Sequence, residues 1–489
     1  MLKRIVFVYE DSKRPNSKVR EITGDKTYGQ TILKRKTLKQ RIFEEVEDKS
    51  YIVRAESYTN REEAATVFAE LATLPKDCAV VHMRSSFGIS DKEKFQLLME
   101  KAQFVQSVIQ VQENHKTAVF LFPNLKEYLS YAKEYVTEEG CLSEQGLLHT
   151  DKMEGACFAD LSQVNVFLQY ITSGFDARFF NALAGNDFTV TKSSTNKKKI
   201  KSEYEFYYLL PEQMKMWFVM PFDYKEDKEK ASYTMERVHT TDIAIRFVHG
   251  AVNLEEFEDI LNRLFYFVKN RVQKEVTKEA YQAEAKKLYV DKVLERMNML
   301  KQDKYYSVFD SYIKNGTGYH SIDAVVEKYL KLYDKVSVRD NTKRYFAVGH
   351  GDLCFSNILY HKETSLVKLI DPKGALCEED LYTHPYYDLA KLSHSICGRY
   401  DFFNNGLYEI KLDSDMKLSL ELNFDNSAYV KLFRKYLEEN GFDYLTVRLY
   451  EASLFLSMLP LHMDNVQKTF GFLLNGIKIL EEVETCLKD

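Results

Sequence analysis

Proline is scarce in this chain of 489 residues, with eight in all. Long disordered linkers are therefore not expected. The seven cysteines are odd in number, widely scattered, and include no CxxC pair. Zinc sites and disulfide frameworks need regular cysteine spacing, so neither is indicated. Reduced thiols in a cytoplasmic protein are the expectation. No run of about 18 apolar residues occurs, which excludes a hydrophobic helical membrane span. The opening "MLKRIVFVYEDSK" has an apolar run too short for a signal peptide, and charge follows at once. Charge of either sign is nearly balanced, with 68 basic and 73 acidic residues giving −5. That leaves no field for general nucleic-acid binding.

What is present is material for a large core. Hydrophobic residues make up 45% of the chain, with 33 Tyr and 32 Phe. A single core rarely grows beyond about 250–300 residues, so two or more domains are expected. Residues 1–158 alternate between strand-like and helix-like stretches. "RIVFVY" (4–9), "SYIVRAE" (50–56), "CAVVHMR" (78–84) and "TAVFLF" (117–122) read as strands. "TLKQRIFEEV" (37–46), "NREEAATVFAELATL" (60–74) and "SDKEKFQLLMEKAQF" (90–104) read as helices, the second capped by Asn60. This rhythm predicts a mostly parallel α/β layer domain.

From about residue 159 the pattern changes. "ARFFNALAGNDFTVTKSS" (177–194) predicts two strands joined at Ala-Gly-Asn. A helix over 200–212 follows, then strands over 214–222 and 231–238. Two long amphipathic helices, 254–272 and 278–302, lead to a second region of strand ends, and the last 60 residues are again helical. The expectation is a β-rich lobe over 159–238 and a helical lobe over 239–489.

The chemistry lies in "HGDLCFSNILY" (350–360) and "LIDPKG" (369–374). Both leave apolar strand-like residues for a polar turn, where side chains can be aimed into a cleft. Asp352, Asn357 five positions later and Asp371 are the set that phosphoryl transfer from a metal-bound nucleotide requires. A carboxylate must orient the acceptor hydroxyl and can take its proton, and Asp352 fits that role. Hard oxygen ligands must hold Mg²⁺ against the phosphates, and Asn357 with Asp371 fit that one. His350 is expected to position the loop by packing and hydrogen bonding.

"HGDLCFSN…LIDPKG" resembles the catalytic core of the aminoglycoside phosphotransferase and choline kinase-like enzymes, relatives of protein kinases. The likeness covers roughly residues 160–480 and is strongest over 345–395. It implies a two-lobed, protein-kinase-like fold, ATP and Mg²⁺ as cofactors, a nucleoside triphosphate as phosphoryl donor and a small-molecule acceptor. "PYYDLAKL" (385–392) is similar to the family's later Asp-Leu-Ala segment, in which Asp388 braces the catalytic loop. "SYTMERV" (232–238) resembles the hinge between lobes, where backbone near Met235 and Glu236 would meet adenine.

A kinase reading also requires a lysine on a lobe strand and a helix glutamate to hold it. Lys192 ends the alternating strand "FTVTK". Glu203 and Glu205 follow, and helical periodicity favours Glu203, which shares a face with Ile200, Phe206, Tyr207 and Leu210. No G-x-G-x-x-G precedes Lys192, so the groups covering the phosphates are not assigned. The basic run "KSSTNKKKIK" (192–201) lacks aromatic interleaving and reads as a solvated loop, not an RNA site.

The domain order resembles bacterial surface-polysaccharide proteins that join a nucleotidyltransferase-like domain to a choline kinase-like one. Yet "VYEDSKRPNSKVREITGDK" lacks the glycines such a transferase carries after its first strand. A degenerate domain that binds substrate or pairs two copies into a homodimer is therefore expected. The resemblance points to a sugar or amino-alcohol acceptor in capsule or lipopolysaccharide synthesis. The rivals are a catalytically inactive binding protein and a bifunctional enzyme with nucleotidyl transfer in residues 1–158.

Overall fold

The computed structural model describes residues 2–33, 35–147, 150–172, 182–186, 188–337 and 343–488. Compactness divides the chain into two units, Met1–Phe175 with His249–Ala251, and Asp176–Val248 with Val252–Asp489.

The first unit is built on a six-stranded sheet. In chain order its strands are β1 (Ile5–Glu10), β2 (Ile52–Tyr58), β3 (Ala79–Arg84), β4 (Ile109–Glu113), β5 (Lys116–Phe122) and β6 (Asp151–Glu154). Their spatial order is β2-β1-β3-β5-β4-β6. Every residue of β1 is buried, as expected for a central strand whose side chains are apolar up to Tyr9; the last, Glu10, is buried against His82. Helices α1 (Arg61–Leu71) and α2 (Lys92–Ala102) begin at Asn60 and Asp91, whose side chains accept the Glu63 and Lys94 amides.

Three of the sheet's five pairings are parallel, as expected: β1 with β2, β1 with β3, and β4 with β6. The two exceptions both involve β5, which is antiparallel to β3 and to β4. The cause is a tight hairpin that sequence reading passed over. Asn114 and His115 both adopt positive φ, 51° and 62°, as a two-residue primed turn requires. With no glycine at either position, the turn left no signal.

The second unit has the two lobes expected of the kinase-like half. Its first lobe is an antiparallel sheet of β7 (Ala182–Gly185), β8 (Thr189–Ser194), β9 (Pro221–Glu226) and β10 (Ala231–Glu236), in the order β7-β8-β10-β9. The first part of the expected hairpin, 177–181, lies outside the described residues. Helix α3 (Lys197–Leu209) crosses between β8 and β9. The strand expected over 214–222 is corrected. Glu212–Lys215 is a helical turn after Pro211, and Trp217 and Phe218 are buried. They join the main core, and only an isolated bridge forms, with Leu369 accepting from Val219 and donating to Trp217. That apolar run is core filling, which period-2 counting cannot separate from a strand.

The second lobe is mainly helical. α4 (Leu254–Lys269) buries Phe257, Ile260, Leu261, Leu264, Phe265 and Val268 on one stripe and starts at Asn253, which accepts the Glu256 amide. The expected 278–302 helix is present but passes through a π turn at Lys287–Asp291. That turn places Tyr289 face to face with Tyr450, 3.6 Å between ring centroids. Three short elements bring the motif residues together: β11 (Tyr345–Val348), the hairpin of β12 (Ile358–His361) and β13 (Leu366–Leu369), and helix α5 (Tyr386–Ile396). Among the described residues no helix is long and apolar enough to cross a membrane.

Candidate active site

Strand β8 presents Lys192 and helix α3 presents Glu203, both almost fully buried. The Lys192 ammonium lies 2.7 Å from Glu203 Oε2 and 2.8 Å from Asp371 Oδ1. Burial alone would lower the lysine's pKa, but the flanking carboxylates outweigh it and raise it. Tyr233 Oη donates to Glu203 Oε2 at 3.1 Å and holds it toward the lysine. Glu205, the alternative, has no part in this contact.

Asp371 lies two residues beyond the end of β13 and adopts a left-handed backbone, φ 55°. An L-residue there is strained, though aspartate tolerates it better than most. The Ile370 amide donates to the Asn357 carbonyl at 3.1 Å, tying the two loops together. Asn357 turns its amide nitrogen to Asp352, donating to the backbone oxygen at 2.8 Å and to Oδ2 at 3.1 Å. Its side-chain oxygen is thereby turned away from Asp352 and left for another partner.

The loop that carries Asp352 is held from behind by Asp388 at the start of α5. Its two oxygens accept the His350 amide at 3.0 Å and the Gly351 amide at 2.8 Å, and Arg271 Nη1 lies 3.1 Å away. Asp388 and Arg271 side chains are both fully buried. Gly351 has φ 78°, where a side chain would be strained and would strike Lys373. His350 is buried and stacks on Phe218. Its Nε2 donates to the Ile370 carbonyl at 2.8 Å, so Nδ1 accepts the Asp352 amide at 3.2 Å. One histidine thus links the Asp352 and Asp371 loops through a fixed tautomer.

Asp352 lies deep in the lobe, yet 43% of its side chain opens to solvent. Its Oδ1 is 2.9 Å from the ammonium of Lys391. Burial pushes this carboxyl up, but Lys391 more than offsets that and holds it down at about 2. Met235 lines a small cavity with Phe218, Pro221 and Leu369, beside Glu203 and Asp371. Glu236 is exposed at the end of β10.

A divalent ion here would have few protein ligands. Among the described residues no three His, Cys, Asp or Glu side chains cluster as a metal cage. Asn357 and Asp371 still fit Mg²⁺, which keeps several waters and takes one or two protein oxygens plus phosphates. Asp371 Oδ1 already meets the Lys192 ammonium, so a divalent ion would have to share this carboxylate with the lysine or displace it.

Sequence reading missed Lys391, Arg271 and His394. Lys391 had a signal, since it follows Asp388 by three positions on one helix face. Arg271 had none, being 117 residues from its partner. His394 is buried and kept neutral, its pKa driven well down by burial and by Lys391. Asp401 is also buried, and burial raises it to about 6. Its folded value exceeds the unfolded one of about 3.9, so stability falls as pH rises from about 4 to 6 and is flat above. Asp401→Asn should remove that slope. Over this window urea melts should show the variant gaining on the parent by at most about 3 kcal/mol. An unchanged slope would mean that Asp401 titrates in the fold as it does in the unfolded chain, and that burial does not raise it.

No protein-family model matches the chain, and no curated protein matches it. Solved structures do align with it. A thermostable mutant of aminoglycoside phosphotransferase APH(4)-Ia, in its apo form, is 11% identical over 65% of this chain and 98% of its own, TM-score 0.36. Aminoglycoside-3'-phosphotransferase of type VIII is 13% identical over 59% of this chain and 97% of its own, TM-score 0.32. A protein described as a fructosamine-3-kinase from Haemophilus somnus 129PT is 10% identical over 60% of this chain and 83% of its own, TM-score 0.34. At this level of likeness the chemistry has to come from the site's own geometry.

Proposed function

We propose that the chain is an ATP- and Mg²⁺-dependent phosphotransferase acting on a hydroxyl of a small molecule. One observation carries this reading: Lys192, Glu203 and Asp371 from one side and Asp352 and Asn357 from the other are linked within hydrogen-bond distance through shared loops. Lys192, freed from Asp371, would pair with the nucleotide phosphates while Glu203 keeps it in place. Asn357 and Asp371 would hold Mg²⁺, which supplies charge neutralisation at the phosphates when bound. Asp352 would orient the acceptor hydroxyl and receive its proton. Backbone near Met235 and Glu236 would meet adenine. His350 and Asp388 would keep the loop in register without contacting substrate.

The acceptor we favour is a sugar or amino alcohol, in bacterial capsule or lipopolysaccharide synthesis, and the compartment the cytoplasm. Residues 1–158 would be a degenerate nucleotidyltransferase-like domain serving substrate binding or homodimer formation. Residues 159–489 would be the phosphotransferase.

Thermal shift with ATP, with and without Mg²⁺, tests the reading. The parent protein should be stabilised by Mg·ATP by about 2.7 kcal/mol at a hundredfold excess over Kd. Asp371→Ala should lose the magnesium-dependent part. A parent protein whose melting temperature ignores Mg·ATP would favour the inactive binding-protein reading.

A further inference from the structure

The pairing of Lys391 with Asp352 carries more than charge neutralisation. Helix α5 is tied to the catalytic loop by Asp388, so Lys391, three residues on, stands on a rigid base. Its ammonium reaches Asp352 Oδ1 at 2.9 Å, while Asn357 takes Oδ2 at 3.1 Å. An ammonium has three N–H donors. Asp352 is the one ion-pair partner of Lys391 among the described residues. Its side chain is 19% exposed, against 3% for Lys192. Lys391 thus sits beside Asp352, whose own side chain is 43% exposed, with two N–H donors beyond the one that Asp352 accepts. A lysine present only to balance Asp352 would leave those donors unused where the acceptor oxygen and phosphorus must meet.

We propose that Lys391 is a catalytic residue that contacts the transferring phosphoryl group from the acceptor side, while its bond to Asp352 keeps base and phosphoryl in register. This rests on the phosphotransfer reading above. In the step, the acceptor oxygen bonds to the γ-phosphorus and the bond from that phosphorus to the β–γ bridging oxygen breaks. ADP leaves with the electron pair, and the acceptor's proton passes to Asp352. Lys391 gains and loses no proton. Its charge meets the negative charge spread over the three equatorial oxygens, opposite Lys192.

Equilibrium binding separates this from a structural role. ADP with Mg²⁺ probes the nucleotide site, and the same mixture with aluminium fluoride mimics the phosphoryl group in transit. The full-length parent should bind Mg·ADP and bind it at least tenfold tighter with aluminium fluoride. Lys391→Met should bind Mg·ADP within twofold of the parent and lose most of that tightening. Lys391→Arg should restore part of it. Lys391→Gln, which keeps a donor to Asp352 without the charge, should lose it like the methionine variant and serves if the latter does not fold. Full tightening in both neutral variants would overturn the inference and leave the phosphotransfer reading standing. Failure of the parent to bind Mg·ADP would take down that reading and this inference with it.

Discussion

Replacing Asp352 by asparagine is expected to lower phosphoryl transfer at least 10³-fold while leaving Mg·ATP affinity within about threefold. Asparagine keeps the shape of the side chain and an oxygen for an acceptor hydroxyl, but it cannot take a proton. On the proposed reading Asp352 would face the acceptor, whereas Lys192, Asn357 and Asp371 would carry the nucleotide contacts. Binding and turnover should therefore separate. The check is an ADP-release assay beside a nucleotide titration of the same sample, with a melting curve to show that Lys391, now without its counter-charge, has not loosened the lobe. Turnover within tenfold of the parent would remove Asp352 from the chemistry. Parallel loss of nucleotide binding would make it a structural residue.

The second large effect belongs to a residue that should never meet substrate. Asp388→Ala is expected to destabilise the second unit by about 3–5 kcal/mol. The substitution strands the fully buried Arg271 guanidinium and leaves the His350 and Gly351 amides without their acceptors. Unfolding midpoints in urea measure it. Asp388→Asn, which still offers one acceptor oxygen, should cost less. Removing Arg271 and Asp388 together, as Arg271→Met with Asp388→Ala, should cost less than the sum of the two single changes, because no buried charge is left alone. A loss below about 1 kcal/mol in Asp388→Ala would mean that water reaches the loop and the brace is unimportant.

Much of the second unit's candidate site was legible because its signals are local. His350, Asp352 and Asn357 lie on one loop, and backbone geometry keeps residues so close in sequence close in space. Glu203 could be preferred to Glu205 because helical periodicity turns one toward the core and the other away. The π turn at Lys287–Asp291 and the primed turn at Asn114–His115 were not legible. Each depends on backbone conformations that ordinary side chains permit without advertising. The run at 214–222 misled because a strand and a buried loop satisfy the same apolar count.

Composition and spacing were enough to settle which chemical groups the chain owns and the order in which they occur. They set the expectation of two units, of a β-rich lobe before a helical one in the second, and of an aspartate–asparagine–aspartate set read as suited to phosphate and a hard cation. Partners far apart in sequence were left to the folded chain. Arg271 finds Asp388 across 117 residues, and Lys192 finds Asp371 across 179. Lys391 was in plain view, but its contact with Asp352 depends on where α5 docks. Docking is decided by side chains from many elements filling one core at crystal-like density, a many-body condition that no short window of sequence encodes.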